Sequence, residues 1–416
     1  MRKIQEINWW RSPLWSKVIG ISVVMFFVYL GDAMLSDWIP SYMQSSLGSS
    51  FTMGIVMSFS SLVGLGADLI FPQLLRMVSS SKLMILAIGS SLVFSGVLLW
   101  TIQWPLVIMF LLAMAVWGVY YEFLSFGSLQ FVAETVSPKT RSGAWAVISI
   151  FKSLAYFLGP IIGSWLAISR GNNEVVLVAA SCVAVGFVAW RLGKAVFTGR
   201  GVSQKKTENL NIMDEMEHWW VLFKHVWPIL TISLVLGLID ATFWTTGTVL
   251  SDNLAKQHWL GGMFLPFYML PPIVVGIVVV RWGISVGKKK MAEKFMLLGG
   301  LFLALLGVGD NMWLMLLTSF LIGTVLSFAY PLVDAVYSDI IARMGRERKH
   351  MVGLSSSTFS LAYIIGPVLS GWIASQVGER FTFVIIGLGV MVVSVFLLFV
   401  TPRKLRLPQS EISEWK

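Results

Sequence analysis

Blocks of about twenty apolar residues recur along the whole chain, and they constrain its fold more than any other feature. Each block is long enough to cross roughly 30 Å of hydrocarbon as a helix. Of the 416 residues, 56% are hydrophobic and only 12% are charged, whereas a soluble globular protein carries roughly 25% charged residues. This composition excludes a water-soluble enzyme, a disordered chain and a nucleic-acid-binding domain. We therefore predict a polytopic membrane protein.

Backbone polar groups cannot stay unpaired in lipid, so the apolar blocks are predicted to be helices and the fold to be all-α. The twelve predicted spans cover residues 18–38, 52–75, 82–101, 105–133, 143–168, 174–194, 224–249, 258–281, 293–309, 312–341, 352–376 and 380–401. They form two pseudo-symmetric six-helix bundles. The predicted divisions are an N-terminal bundle over 1–197, a cytoplasmic loop over 198–223, a C-terminal bundle over 224–402 and a cytoplasmic tail over 403–416.

The distribution of basic residues predicts the orientation in the membrane. With the N-terminus inside, the predicted inner segments hold 27 of the 31 Lys and Arg residues, the outer loops hold three, and Lys152 lies inside a helix. Cytoplasmic loops carry the excess of Lys and Arg, so both termini are predicted to be cytoplasmic in a multi-pass protein of the cell membrane. We expect a monomer whose partners are lipid, a small-molecule substrate and protons, without nucleic acid. A single cysteine, Cys182, and dispersed histidines predict no disulfide, metal site or cofactor.

Two segments repeat each other half the chain apart. Residues 153–167 (SLAYFLGPIIGSWLA) and 360–374 (SLAYIIGPVLSGWIA) are identical at eight of fifteen positions, at a constant offset of 207. A second match places Asp32-Ala33 and Asp240-Ala241 at an offset of 208. Two copies of six helices keep the same orientation because six is even. This parallel repeat is typical of two-bundle transporters, which open alternately to either side of the membrane.

The repeated glycines and prolines also carry a family resemblance. A Gly-Pro-x-x-Gly motif occurs in the fifth span as Gly159, Pro160 and Gly163, and returns in the eleventh as Gly366, Pro367 and Gly371, with the last glycine one place later. The loop between the eighth and ninth spans contains Gly287 followed by Lys288, Lys289 and Lys290. By these motifs the whole chain resembles the major facilitator superfamily, and loosely its drug-antiporter branch. It departs from that branch at Met114, four residues before Gly118, where the antiporters carry arginine.

The resemblance implies secondary transport by alternating access, with the substrate held near the midplane. Since no loop offers a nucleophile–base pair or a metal cluster, an enzyme is not expected. The leading hypothesis is proton-coupled export, as an antiporter, of an amphipathic or cationic compound. The first alternative is an importer or facilitator of a sugar, nucleoside or other metabolite. The second is a membrane sensor or scaffold that transports nothing.

Charged residues within the bilayer are costly and usually face a cavity or a partner. The candidates for substrate binding or proton coupling are Asp32, Glu122, Lys152 and Asp240. Glu122 and Lys152 have similar predicted depths, which favours an ion pair that a proton or substrate breaks, or a purely structural pair. Asp32 and Asp240 occupy matched repeat positions and could bind a cation or carry protons. Alternatively, each bonds to a nearby hydroxyl, such as that of Ser36 or Thr242.

Three further groups of residues complete the candidate site. The predicted inner-gate or structural residues are Asp68, Arg76, Asp334 and Arg343. The predicted cavity aromatics are Trp117, Tyr121, Trp244 and Tyr330. The Gly-Pro motifs of the fifth and eleventh spans are expected to set helix packing and bending rather than to contact the substrate.

Overall fold

The computed structural model describes residues 13–74, 78–136, 141–193, 212–275, 287–308, 311–344, 348–402 and 407. The first six helices are α1 (Pro13–Leu47), α2 (Ser50–Leu74), α3 (Ser80–Gln103), α4 (Val107–Thr135), α5 (Arg141–Ser169) and α6 (Asn172–Leu192). Helix α7 has three consecutive parts, Ile212–Thr242, a π-helical turn Phe243–Gly247 and Thr248–Gln257. A 3₁₀ turn, Gly261–Met263, leads into α8 (Phe264–Met269). The last four helices are α9 (Lys288–Val308), α10 (Met312–Arg343), α11 (Arg348–Val377) and α12 (Glu379–Val400).

These helices confirm the predicted all-α membrane fold. Within the described residues, eleven helices are long and apolar enough to cross a membrane, and Gly261–Val275 forms a shorter apolar helix. That shorter helix lies in the predicted eighth span, of which residues 276–281 fall outside the described residues. No strand occurs in the described parts of the chain.

Two helices extend far beyond the apolar blocks that predicted them. Helix α1 continues past Pro40 to Leu47, and α7 begins at Ile212 and reaches Gln257. Apolar composition marks only the part of a helix that meets hydrocarbon, whereas the hydrogen-bond ladder continues through polar residues. The polar helix ends therefore escaped a prediction based on hydropathy.

The chain divides into two compact units. The first comprises Met1–Ile39 and Gly66–Lys205, and the second comprises Pro40–Leu65 and Lys206–Lys416. Within the second unit α2 packs closely on α11, because a Cβ added at Gly54 would overlap the Pro367 carbonyl oxygen. Gly371 contributes to the same contact, since a Cβ there would overlap the Ser50 carbonyl oxygen.

The one-place shift between Gly163 and Gly371 has a structural consequence. A Cβ added at Gly163 would lie 3.1 Å from the carbonyl oxygen of Met34 on α1. One extra residue turns a helix by about 100°, and Gly371 accordingly contacts α2 instead of α7. The two copies of the motif thus use their last glycine for different neighbours.

The other glycines of the two motifs make the same contact in each unit. A Cβ added at Gly366 would lie 2.6 Å from the Cβ of Ala241, and one at Gly159 would overlap the Cβ of Ala33. Small residues on both sides allow helix backbones to approach closely. In each unit the alanine directly follows the candidate aspartate, so this close approach sets the distance from the aspartate to the facing helix.

This packing predicts opposite effects for two kinds of Gly→Ala substitution. Gly159→Ala and Gly366→Ala are expected to destabilise the protein by about 1–3 kcal/mol through overpacking. Gly89→Ala and Gly389→Ala are matched controls, because a Cβ at either position meets no atom within 4 Å. The controls should be neutral or stabilising, since alanine is the better helix former by about 1 kcal/mol. Thermal unfolding in detergent measures both pairs.

A compensating change sharpens this test. Adding Ala33→Gly to Gly159→Ala, or Ala241→Gly to Gly366→Ala, moves the methyl group to the other helix and should recover most of the lost stability. If the double variants melt no higher than the single ones, the proposed contact does not limit stability.

Candidate functional site

In the first unit, side chains from two other helices donate hydrogen bonds to the Asp32 carboxylate of α1. The indole Nε1 of Trp117 on α4 lies 2.8 Å from Oδ1. The Tyr121 hydroxyl, one turn later on α4, lies 2.7 Å from Oδ2, and the Tyr156 hydroxyl of α5 lies 2.5 Å from the same oxygen. Asp32 is only 2% exposed, so these donors replace water around the buried acid.

Lys152 lies beside this cluster, one helical turn before Tyr156. Its ammonium nitrogen is 5.3 Å from the centroid of the Tyr29 ring and 5.7 Å from that of Tyr156, within cation–π range. It also attracts the Asp32 carboxylate electrostatically. The first unit therefore combines a buried acid with a cation from its own chain. The ion pair between Lys152 and the half-buried Glu122 stays a prediction.

The second unit holds a related cluster around Asp240 of α7. The Tyr268 hydroxyl of α8 lies 2.5 Å from Oδ1, and the Tyr363 hydroxyl of α11 donates to Oδ2. The Tyr268 ring stacks on Phe243 with a centroid separation of 4.0 Å and an interplanar angle of 6°. Phe243 opens the π-helical turn of α7, so this irregular turn supplies the surface that orients Tyr268.

The two clusters share their central pair. Tyr156 and Tyr363 are 207 residues apart, and the aspartates they bind are 208 apart. In each unit the tyrosine lies three residues before the glycine that allows the helices to approach. The alternative in which Thr242 bonds to Asp240 is wrong, because the Thr242 hydroxyl proton is donated to the Leu238 carbonyl oxygen at 2.8 Å.

The other predicted residues of α7 and α10 lie in different settings. The Tyr330 hydroxyl donates to the Leu236 carbonyl oxygen at 2.9 Å, and the half-buried Trp244 belongs to the π-helical turn. Asp334 and Arg343 are both exposed. They lie nine positions apart on α10, or about 13 Å along its axis, so the structure does not bring them together.

The predicted partners Asp68 and Arg76 cannot be compared in the same way. The side chain of Asp68 and the whole of Arg76 lie outside the described residues. Their role at an inner gate stays a prediction.

Sequence reasoning missed several residues that complete the clusters. Tyr156 and Tyr363 are identical within the repeat, and that identity was the available signal. Tyr268 and Tyr29 gave no such signal, because neither belongs to a repeated motif. Asp37, also missed, lies at the end of a predicted span; it is 6% exposed and accepts a hydrogen bond of 2.7 Å from the Ser164 hydroxyl.

A carboxylate held by tyrosine hydroxyls responds to two chemical events, uptake of a proton and arrival of a cationic group. Either event weakens the charge-assisted hydrogen bonds that the carboxylate accepts. The bonds of Asp32 tie α1 to α4 and α5, and those of Asp240 tie α7 to α8 and α11. A change of charge at either aspartate would therefore alter the contacts between helices of its own unit.

Comparison with known proteins agrees with this architecture. Residues 254–416 match the family model described as Major Facilitator Superfamily. No curated protein matches the chain in sequence.

Solved transporter structures resemble the chain over nearly its whole length. A POT-family peptide transporter bound to a thioalcohol-conjugated peptide superposes with a TM-score of 0.73 at 11% identity, covering 92% of this chain and 95% of that one. The nucleoside transporter NupG, in mutant form, gives 0.68 at 12% identity over 92% and 98%. The human organic anion transporter MFSD10 gives 0.56 at 17% identity over 93% and 100%.

At these identities the structural likeness establishes the fold alone, and the family match lies in the second half of the chain. Together they confirm the resemblance that the repeated motifs indicated. Residues 254–416 thus resemble the major facilitator superfamily, and the whole chain has the fold of the transporter structures on which it superposes.

Proposed function

We propose that the protein exchanges protons for an amphipathic or cationic organic molecule and exports that molecule from the cell. In this proposal the bundles over 1–197 and 224–402 alternate between inward and outward access in the cell membrane, with both termini cytoplasmic. The observation that carries the proposal is the Asp32 cluster. It places one titratable group, 2% exposed, under hydrogen bonds from two neighbouring helices.

Protonation of Asp32 would change which helix contacts are favourable. Hydrogen bonds to a charged acceptor contribute about 1.5–3 kcal/mol each, against about 1 kcal/mol for neutral ones. Neutralising the carboxylate therefore weakens three contacts to α4 and α5 at once. Such a change is large enough to shift a two-state equilibrium by a factor of ten or more, at about 1.4 kcal/mol per factor of ten.

Import or facilitated movement of a sugar, nucleoside or other metabolite is the second candidate, and it fits the structural comparisons at least as well. The solved structures that superpose on the chain include a POT-family transporter and a nucleoside transporter, with TM-scores of 0.73 and 0.68. The resemblance of Gly159, Pro160 and Gly163 to the drug-antiporter motif favours export instead. The two directions make different predictions for transport into membrane vesicles.

Transport into membrane vesicles under an imposed pH gradient tests both, with the membrane potential clamped by potassium and valinomycin. Export predicts that inverted vesicles with an acidic lumen accumulate ethidium, because protons leaving the lumen drive the cation inward. Uptake predicts that right-side-out vesicles in acidic medium accumulate radiolabelled uridine or dialanine. If no probe responds to the pH gradient in either orientation, proton coupling is wrong.

A further inference from the structure

The two units carry the same Asp–Tyr pair but differ in the cation beside it. Lys152 of the first unit corresponds, at the offset of 207, to Phe359 of the second. The first unit therefore supplies an ammonium to its own tyrosine rings and acid. At the same place the second unit supplies an aromatic side chain.

Phe359 forms part of an aromatic wall near Asp240. Its ring centroid lies 6.0 Å from that of Tyr330, with planes at 62°, and 5.6 Å from that of Tyr363. Tyr363 also donates a hydrogen bond to Asp240. The faces of aromatic rings attract cations, most strongly where the cation is partly desolvated.

The charge around this wall is negative. Both Asp240 and Asp334 act electrostatically on Tyr330, and Asp334 lies one turn after Tyr330 on α10. The basic residues of α7, α10 and α11 lie toward the helix ends, and the sequence has no lysine or arginine over residues 225–255, 258–280, 312–342 and 350–377. Acids combined with aromatic faces are the chemistry that recognises organic ammonium groups.

Exposure separates the two units further. Asp32 is 2% exposed and enclosed by its donors, whereas Asp240 is only half-buried. Phe359 is 38% exposed. The acid of the second unit is therefore less enclosed than the equivalent acid of the first unit, which its own hydrogen-bond donors cover.

We propose that Asp240 and the aromatic wall of Tyr330, Phe359 and Tyr363 bind the ammonium group of an organic ligand. Lys152 fills the equivalent place in the first unit. This inference rests on the proposed function. It assigns proton coupling to Asp32 and substrate recognition to Asp240.

Binding to the purified full-length protein, measured by isothermal titration calorimetry, tests the site. The probes are choline and benzyltrimethylammonium, and the neutral isostere of choline, 3,3-dimethylbutan-1-ol, is the ligand control. We expect both ammonium probes to bind and the isostere to bind at least about tenfold more weakly, since it lacks the cation that the aromatic faces and the acid attract. Equal binding of choline and its isostere, or no binding of either ammonium probe, would overturn the inference.

Three variants assign the binding to these residues. Asp240→Asn removes the acid, and Phe359→Lys builds into the second unit the tethered ammonium of the first. Each should weaken binding of the ammonium probes about tenfold or more. Asp252→Asn, which removes another acid from α7, should leave binding unchanged. Unaltered binding in both Asp240→Asn and Phe359→Lys would contradict the site, and thermal unfolding confirms that each variant is folded.

A more conservative variant tests the aromatic ring with less risk of unfolding the protein. Phe359→Leu keeps an apolar side chain and removes only the ring, so it should weaken ammonium binding a few-fold while leaving the isostere unaffected. The binding assay is independent of transport. Ammonium binding that depends on Asp240 without any response to a pH gradient would refute the proposed function alone, and the reverse result would refute this inference alone.

Discussion

Replacing Asp32 by asparagine is expected to abolish transport driven by a pH gradient while leaving exchange of substrate without a gradient. Asparagine has nearly the same shape as aspartate but neither takes up nor releases a proton. With the potential clamped, a gradient of one pH unit supports roughly tenfold accumulation for each coupled proton, at about 1.4 kcal/mol per factor of ten. In the variant this accumulation should fall to equal concentrations on the two sides.

The geometry explains why exchange should survive. The Asp32→Asn side chain can keep an oxygen facing Trp117, while its NH₂ group replaces the oxygen that accepts from Tyr121 and Tyr156. Hydroxyl groups can rotate and accept as well as donate, so the cluster can stay closed without the charge. Asp37→Asn is the matched control, because Asp37 is another buried acid of the same helix. Full pH-driven accumulation in Asp32→Asn, or an equal loss in Asp37→Asn, would contradict the assignment.

The sequence predicted the membrane helices because each must be apolar over a fixed length. The repeat also predicted that Asp32 and Asp240 share a role, and the structure places them in matched clusters. Their tyrosine partners come from other helices, and no spacing along one helix shows which side chains meet across a contact. Only the identity of Tyr156 and Tyr363 within the repeat carried that information.

Other features depend on tertiary packing and left no sequence signal. The π-helical turn Phe243–Gly247 interrupts an otherwise regular helix, and it places the Phe243 ring against the Tyr268 ring. Hydropathy patterns do not distinguish a π-helical turn from the α-helix around it. Such turns occur frequently at functional sites, and here the turn begins three residues after Asp240.

The basic sequence after Gly287 illustrates the same limit at the other end of the second unit. Lys288, Lys289 and Lys290 predicted an inner loop, and the structure makes them the first turn of α9. Lys288 pairs with Asp339 of α10 at 2.8 Å. The other two lysines turn inward to Glu293, which is fully buried. The sequence of Lys288, Lys289 and Lys290 indicates a solvated basic loop, but two of these lysines belong to an internal charge cluster.

Glu293→Gln is consequently expected to destabilise the protein more than any single lysine substitution in this cluster. Glu293 pairs with Lys289 and Lys290 at 2.9 Å each and accepts a 2.9 Å hydrogen bond from Thr401 at the end of α12. Removing one partner of a buried pair leaves an uncompensated charge, which costs about 3–5 kcal/mol. Glutamine would leave two ammonium groups without their carboxylate, whereas Lys289→Met still leaves Glu293 paired with Lys290.

Lys289 and Lys290 also bind the C-terminal end of α12, so the variants of this cluster can be ranked by their expected loss of stability. Lys290 donates to the carbonyl oxygens of Leu397 and Leu398 at 3.2 and 2.8 Å, and Lys289 donates to that of Pro402 at 2.8 Å. Cations near a helix C-terminus are stabilising, typically by about 0.3–1 kcal/mol. We therefore expect Glu293→Gln to lower the unfolding temperature most. Lys289→Met should follow and Lys290→Met should have the smallest effect, because the Lys289 side chain is 3% exposed and the Lys290 side chain is 20% exposed.

A more exposed ion pair of the same unit supplies the control. Asp252 and Lys256 lie 3.9 Å apart with side chains 29% and 67% exposed, and such pairs contribute about 0–1 kcal/mol. Asp252→Asn should therefore barely change the unfolding temperature, measured in detergent at low and high salt. The loss in Glu293→Gln should be nearly independent of salt, because buried pairs are screened much less than exposed ones. A small loss that disappears at high salt would show that the cluster is solvated and does not hold α9 to α12.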